Sequence, residues 1–325
     1  MQNYSHKLGR IGILMGGYSS EREISLKSCK AIYDALMKEQ CDAVPLDITD
    51  SKEEKIIQCI LEKKIDVAFI ALHGCLGEDG TIQAILEKLE IPYTGSNPNA
   101  SRLALDKSLA QELFKKNNLP VPKFISVAKK DFNLHQKFFS SIDFLPIIVK
   151  PACEGSSIGI TLVKTKKDLE KAMQIAWEYG DKLLIEEYIK GRELTVGILD
   201  QRPLPIIEIR YQNDLFDFHT KYHSSTTEYI VPAPVSGDLT LRIQQTALQA
   251  YHTLGCCDLS RVDFMLGDDG SFYLLEINTI PGFTSMSLLP KAAQAAGITF
   301  PQLCLKLVGL AYGKKKTRKT TTVSY

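Results

Sequence analysis

The run Ile11-Gly-Ile-Leu-Met-Gly-Gly17 decides how this chain is read. Ile11 to Met15 is compactly apolar and ends on two glycines. After it Cys29, Ile32, Tyr33 and Leu36 recur at i, i+3, i+4 and i+7, the period of a helix with one buried face. A strand feeding a helix is the simplest reading. Val67-Ala-Phe-Ile-Ala-Leu72 repeats the signal, closes on His73-Gly74 and is followed by a helix-patterned stretch from Gln83 to Leu89. Strands alternating with helices predict an α/β unit with a parallel, doubly wound sheet. In such sheets ligands meet the carboxyl ends of the strands, where Gly16-Gly17 and His73-Gly74 fall.

The turn-dense segment Thr94-Gly-Ser-Asn-Pro-Asn99 marks the first boundary. Beyond it one helix is expected over Ser101 to Lys116 and another from Lys167 to Tyr179. Short strands are expected at Phe124 to Val127, Pro146 to Lys150, Ile160 to Val163 and Leu183 to Glu187. Strand-like runs at Glu193 to Leu199 and Leu204 to Arg210, a helix from Leu239 to Leu254, a hairpin at 261–278 and a last helix from Phe300 to Tyr312 complete the pattern. The expected organisation is therefore an α/β domain over residues 1–97, an α+β domain over 98–187 and a second over 188–313. A basic, solvated and disordered tail over 314–325 is expected to follow.

Composition agrees with this division. A chain of 325 residues holds two or three domains, and a formal charge of +1 with 44% hydrophobic and 24% charged residues is ordinary for a globular protein. That balance speaks against a polyanion-coating protein and against a disordered acidic one. The eight cysteines are scattered, with no CxxC pair, so thiols buried in a reducing cytosol are expected rather than disulfides or a zinc site. No apolar stretch approaches the roughly 18 residues of a membrane span. A cytoplasmic protein with no membrane and no nucleic-acid partner is the expectation.

The chemistry concentrates in four places. Gly267-Asp-Asp-Gly270 is a turn between two strands; setting Leu266 against Ser271 places Asp263 against Leu274. With a period of two, Val262, Phe264, Leu266, Tyr273, Leu275 and Ile277 then face one way and Arg261, Asp263, Glu276 and Asn278 the other. Two carboxylates and an amide oxygen suit Mg²⁺, which takes hard oxygen donors and substrate phosphates; a half-exposed hairpin is the plain alternative. The strand Ile147 to Lys150 runs into Pro-Ala-Cys-Glu-Gly-Ser-Ser-Ile-Gly159, where glycines let backbone N–H groups approach an anion and Lys150 adds charge, unless this is an ordinary Gly/Ser turn. His73-Gly-Cys-Leu-Gly-Glu-Asp-Gly80 and Gly16-Gly-Tyr-Ser-Ser-Glu21 sit at strand ends, where loops carry function. A His there commonly serves as a structural hydrogen-bonding residue, and a Glu as a helix cap.

Together these segments resemble the D-alanine–D-alanine ligases, members of the ATP-grasp superfamily, from about Ile11 to Tyr312. The resemblance is carried by HGCLGEDGTIQA at 73–84, by Ser260-Arg-Val-Asp-Phe-Met265 with Leu275-Glu-Ile-Asn-Thr-Ile-Pro-Gly282, by GGYSSEREIS from Gly16 and by KPACEGSSIG from Lys150. Two residues depart from the family pattern: Asp258, where a small residue is usual, and Met286, where His is frequent. The resemblance implies an α+β ATP-grasp pair of domains clamping ATP, behind the N-terminal doubly wound domain. It implies that ATP phosphorylates the carboxylate of one D-alanine and that the amine of a second attacks the acylphosphate, giving D-alanyl-D-alanine for peptidoglycan precursors.

By the same resemblance Lys107 and Lys150 meet ATP phosphates beneath the Ser156-Ser157 loop. Glu186 and the backbone of Glu187 to Ile189 meet adenine, and Glu193 meets ribose. Asp263, Glu276 and Asn278 hold two Mg²⁺ or Mn²⁺ ions, and Arg261 with the Gly282 N–H forms the oxyanion site. Glu21 binds the first D-alanine's ammonium with His73 near its carboxylate. Ser287 and Ser156 approach the second D-alanine. Tyr222 closes the site through Ser156 and Glu21, and its presence favours an amine over a hydroxyl nucleophile. A homodimer is the family's usual state. The alternatives are a ligase taking D-serine or D-lactate second and a catalytically silent nucleotide-binding scaffold.

Overall fold

The structure is a computed structural model describing residues 8–134, 142–211 and 227–321. Its first unit contains β1 (Ile11–Gly16), α1 (Arg22–Lys38), β2 (Ala43–Ile48), α2 (Glu53–Lys63), β3 (Val67–Ile70) and α3 (Thr81–Lys88). The three strands form a parallel sheet, as expected, in the order β2-β1-β3. Sequence periodicity misses β2. Its run Ala43-Val-Pro-Leu-Asp-Ile48 holds a proline, tolerated because the strand lies at the sheet edge.

Next come α4 (Pro98–Leu105), α5 (Lys107–Lys116), β4 (Phe124–Ala128), β5 (Ile147–Pro151), β6 (Thr161–Val163), α6 (Leu169–Ala176) and β7 (Lys182–Glu187), with an antiparallel sheet ordered β4-β7-β5-β6. The single helix expected over Ser101 to Lys116 is two. Asp106 leaves the helical region, and its side chain accepts the N–H groups of Ser108 and Leu109, so it caps a new helix that begins at Lys107.

The remainder is β8 (Gly191–Leu199), β9 (Arg202–Pro203), β10 (Ile207–Arg210), β11 (Glu228–Ile230), α7 (Gly237–Thr253), β12 (Leu259–Gly267), β13 (Phe272–Asn278), α8 (Leu288–Ala295) and α9 (Phe300–Thr321). Its sheet runs β11-β10-β8-β12-β13, with β9 paired to β8. Helix α9 passes the expected end at Tyr312 and runs through Thr321, into the segment read from sequence as a disordered tail.

The cores do not follow chain order. Helices α4 and α5 bury Ala104, Ala110 and Phe114 with Val196, Phe264 and Leu274 of the six-stranded sheet. Helices α8 and α9 return to the first unit, where Leu289, Leu303, Leu307 and Val308 join Ile11, Ile32 and Phe69. The four-stranded sheet keeps its own core around Val149, Met173, Trp177 and Ile185. Among the described residues no single helix is long and apolar enough to cross a membrane; α8 with Phe300–Gly313 is apolar enough together but bent by 103°.

Candidate active site

The hairpin corrects its own expected register. Leu266 pairs with Phe272, not Ser271, because Gly267 N–H closes onto the Ser271 carbonyl and leaves Ser271 in the turn. Phe264 pairs with Leu274, but Asp263 pairs with Glu276, so Leu275 is an extra residue. That is a β-bulge. In consequence Phe272, Leu274 and Ile277 lie in the core, whereas Tyr273 and Leu275, expected there, are only half-buried. The bulge also brings the two carboxylates directly opposite each other, with Arg261 opposite Asn278 two pairs on.

Asp263 is almost completely buried and well held. Arg261 donates to it through Nε and Nη2 at 2.9 and 2.8 Å, and Thr195, directly across on β8, donates through Oγ1 at 2.6 Å. The Asn278 amide oxygen accepts the Ile280 N–H at 2.9 Å. Glu276 Oε2 lies 3.5 Å from the ammonium of Lys107, which also donates to the Glu154 carbonyl at 2.6 Å. Burial disfavours the Lys107 charge, but the carboxylates of Glu276 and Glu78 outweigh it and hold the pKa above the ordinary lysine value.

Lys150, on β5, pairs with Glu186 Oε1 on β7, both nearly fully buried. Glu186 Oε2 is buried and has no hydrogen-bond partner among the described residues, an acceptor left open at the cavity wall. In the loop after β5, Ser156 and Ser157 take φ of +51° and +57°, an arrangement that turns successive N–H groups the same way. Ser156 Oγ donates to Glu21, which sits at the N-terminus of α1, and Gly155 packs so close that a Cβ there would stand 3.0 Å from Glu21 Oε2. His73 is buried, with Nδ1 3.0 Å from the Ile280 carbonyl and Nε2 3.2 Å from Ser28 Oγ. One ring nitrogen thus meets the segment after β13 and the other meets α1. Ser287 opens α8 and its Oγ accepts the Thr284 N–H at 3.0 Å.

These groups line two adjoining cavities. One of about 460 Å³ lies between the two antiparallel sheets and is walled by Lys150, Ser157, Glu186, Glu187, Ile189 and Asp263. The other, of about 410 Å³, lies toward the first unit and is walled by Glu21, His73, Arg261, Asn278, Gly282 and Ser287. Lys107, Ser156, Glu193 and Glu276 line both, at the seam. Every expected site residue but one is therefore brought to this cleft; Tyr222 lies outside the described residues.

Glu78, Thr195 and Tyr211 join the site without standing out in the sequence. Glu78 lines the smaller cavity, 3.6 Å from His73. Thr195 interrupts the apolar run Leu194 to Leu199, and a hydroxyl buried in such a run is a legible sign of a bonded partner. Burial and the Glu193 carboxylate, to which its hydroxyl is bonded, push the Tyr211 phenol well above its usual range. The expectation of buried thiols holds for Cys29, Cys41, Cys256 and Cys304, whereas Cys75 and Cys153 are exposed because they sit in the two cleft loops. Met286 is exposed beside Ser287, and Asp258 is buried, accepting the Gly95 N–H at 2.8 Å.

Comparison with known proteins matches the chain to the family models described as D-ala D-ala ligase N-terminus, over residues 10–58 and 50–96, and D-ala D-ala ligase C-terminus, over 113–309. The D-alanine–D-alanine ligase of Trichlorobacter lovleyi is 44% identical over 299 residues, covering 91% of this chain and 93% of that one. A crystal structure of the D-alanine–D-alanine ligase of Bacillus anthracis complexed with ATP superimposes with a TM-score of 0.81 at 34% identity, covering 95% of this chain and 99% of that one. The VanG D-Ala:D-Ser ligase of Enterococcus faecalis gives a TM-score of 0.80 at 30% identity, covering 93% and 99%.

Proposed function

The chain belongs to the D-alanine–D-alanine ligase family and is an ADP-forming ligase, and we propose that it joins two D-alanine molecules through the residues gathered at this cleft. One observation carries the reading: two cavities share Lys107, Ser156, Glu193 and Glu276 at their seam, so a nucleotide in one and amino acids in the other meet there. The larger cavity receives ATP. The open Glu186 Oε2 accepts from the exocyclic amine of adenine, the backbone of Glu187 to Ile189 lies along the ring, and Glu193 meets the ribose. Lys107, Lys150 and the N–H groups of the Ser156-Ser157 loop surround the phosphates.

The donor set fits Mg²⁺ or Mn²⁺. Asp263, Glu276 and Asn278 offer hard oxygens and neither sulfur nor imidazole, and two carboxylates with substrate phosphates are what such an ion uses. Two ions held there would supply positive charge against the phosphates. The chain's own residues supply the rest. Glu21 anchors the ammonium of the first D-alanine, and Ser156, bonded to Glu21, orients it toward the seam. Transfer of the ATP γ-phosphoryl group to its carboxylate releases ADP and makes an acylphosphate; the amine of the second D-alanine, set by Ser287, attacks its carbonyl carbon, loses a proton and expels phosphate. Asp263 engages Nε and Nη2 of Arg261, so the guanidinium is held at the cavity wall, where it and the Gly282 N–H would stabilise the developing oxyanion. His73 supports this wall from behind.

Incubating the full chain with ATP, Mg²⁺ and D-alanine is expected to release phosphate and form the dipeptide in equal amounts, and absence of both would overturn the reading. With D-serine or D-lactate in competition, D-alanyl-D-alanine is expected to remain the main product.

A further inference from the structure

The bulge that pairs Asp263 with Glu276 is held from outside the sheet. Strand β13 is the edge strand, and α5 with the segment after it covers its outer side. Leu274 N–H donates to the Pro120 carbonyl at 2.7 Å. Gln111 Nε2 donates to the carbonyls of Leu275 at 2.9 Å and Leu274 at 3.4 Å. Gln111 is fully buried, and among the described residues its Oε1 has no hydrogen-bond partner and its amide bonds only the bulge. Lys107, facing Glu276, lies one helical turn earlier on the same face of α5.

The consequence follows from strand alternation. Without the extra residue Leu275 would stand opposite Asp263, and Glu276 would stand opposite Val262, in the core. Glu276 reaches the cleft only because of the bulge, and a bulge leaves edge carbonyls without strand partners, which burial makes costly. We propose that Gln111 is a positioning residue for the candidate metal site: by donating to the Leu275 and Leu274 carbonyls it fixes the bulge that sets Glu276 beside Asp263. The inference rests on Glu276 serving as a metal ligand.

The test is Mn²⁺ binding to the full chain in the presence of a non-hydrolysable ATP analogue, followed by electron paramagnetic resonance. Gln111→Met removes the donor at similar volume and is expected to weaken Mn²⁺ binding roughly tenfold or more. Phe114→Leu, on the same helix and in the same core, loosens packing while leaving the Gln111 amide in place and is expected to leave Mn²⁺ affinity unchanged. Should Gln111→Met fail to fold, Gln111→Asn, which withdraws the donor, is read in the same way. Wild-type affinity in the Gln111 variant, or equal weakening by Phe114→Leu, overturns the proposal. Glu276→Gln separates the two readings: if it too binds Mn²⁺ as wild type does, the metal assignment falls with the inference; if only it is weakened, the inference alone fails.

Discussion

At the scale of single residues, the cleft pairs each charged group with a partner that fixes its direction. Asp263 is held by Arg261 and Thr195, Lys107 by the Glu154 carbonyl and Glu276, and Glu21 by Ser156. Glu276→Gln keeps the shape and removes the charge. It is expected to lower kcat by roughly 100-fold or more while the circular dichroism spectrum and unfolding midpoint stay close to wild type; near-normal kcat would refute the metal role. Which residue types would matter was legible in the sequence, since hard oxygen donors, a lysine at a strand end and a glycine-serine loop each announce a chemistry. Which atom bonds which was not: Thr195 and Gln111 look like ordinary interior polar residues until the strands and helices that face them are in place.

Elements set where these residues stand. Asp106 breaks what periodicity reads as one helix, because a side chain that caps the next turn competes with continuing the first. The bulge at Leu275 is equally invisible to a rule with period two. A further element-level device joins β8 to β10: Arg192 and Arg210 both donate to the buried Glu208 carboxylate, Arg192 through two bonds of 3.0 and 2.6 Å. The Arg192 hydrogen bonds foremost, then those of Arg210, outweigh burial and hold Glu208 below the usual glutamate range. A depressed carboxylate stabilises the fold fully above its unfolded pKa and loses that contribution as pH falls through its folded value. Glu208→Gln is therefore expected to lower the urea midpoint more at pH 7 than at pH 3, and an equal deficit at both would show that the arginines do not set this carboxylate's titration.

For the whole molecule, the cleft is a meeting of three sheets, and its two halves depend on different junctions. Groups lining the larger cavity come mainly from the two antiparallel sheets, whereas Glu21 and His73 come from the first unit, which the buried Asp258 ties to β12 by accepting the Gly95 N–H. Asp258 has a left-handed backbone, with φ of +60°, a conformation asparagine shares readily and alanine does not. Asp258→Ala is expected to cost about 2 kcal/mol of stability and to raise KM for D-alanine several-fold more than KM for ATP, with Asp258→Asn milder in both. Parallel shifts in the two KM values would show that the junction does not serve the amino-acid half. The alternation of strands and helices and the residue types of the cleft are legible along the chain, because apolar period and ligand chemistry are local properties. The hairpin register and the packing of α4, α5, α8 and α9 across the units emerge with folding, because each depends on hydrogen bonds and buried contacts between residues far apart in the chain.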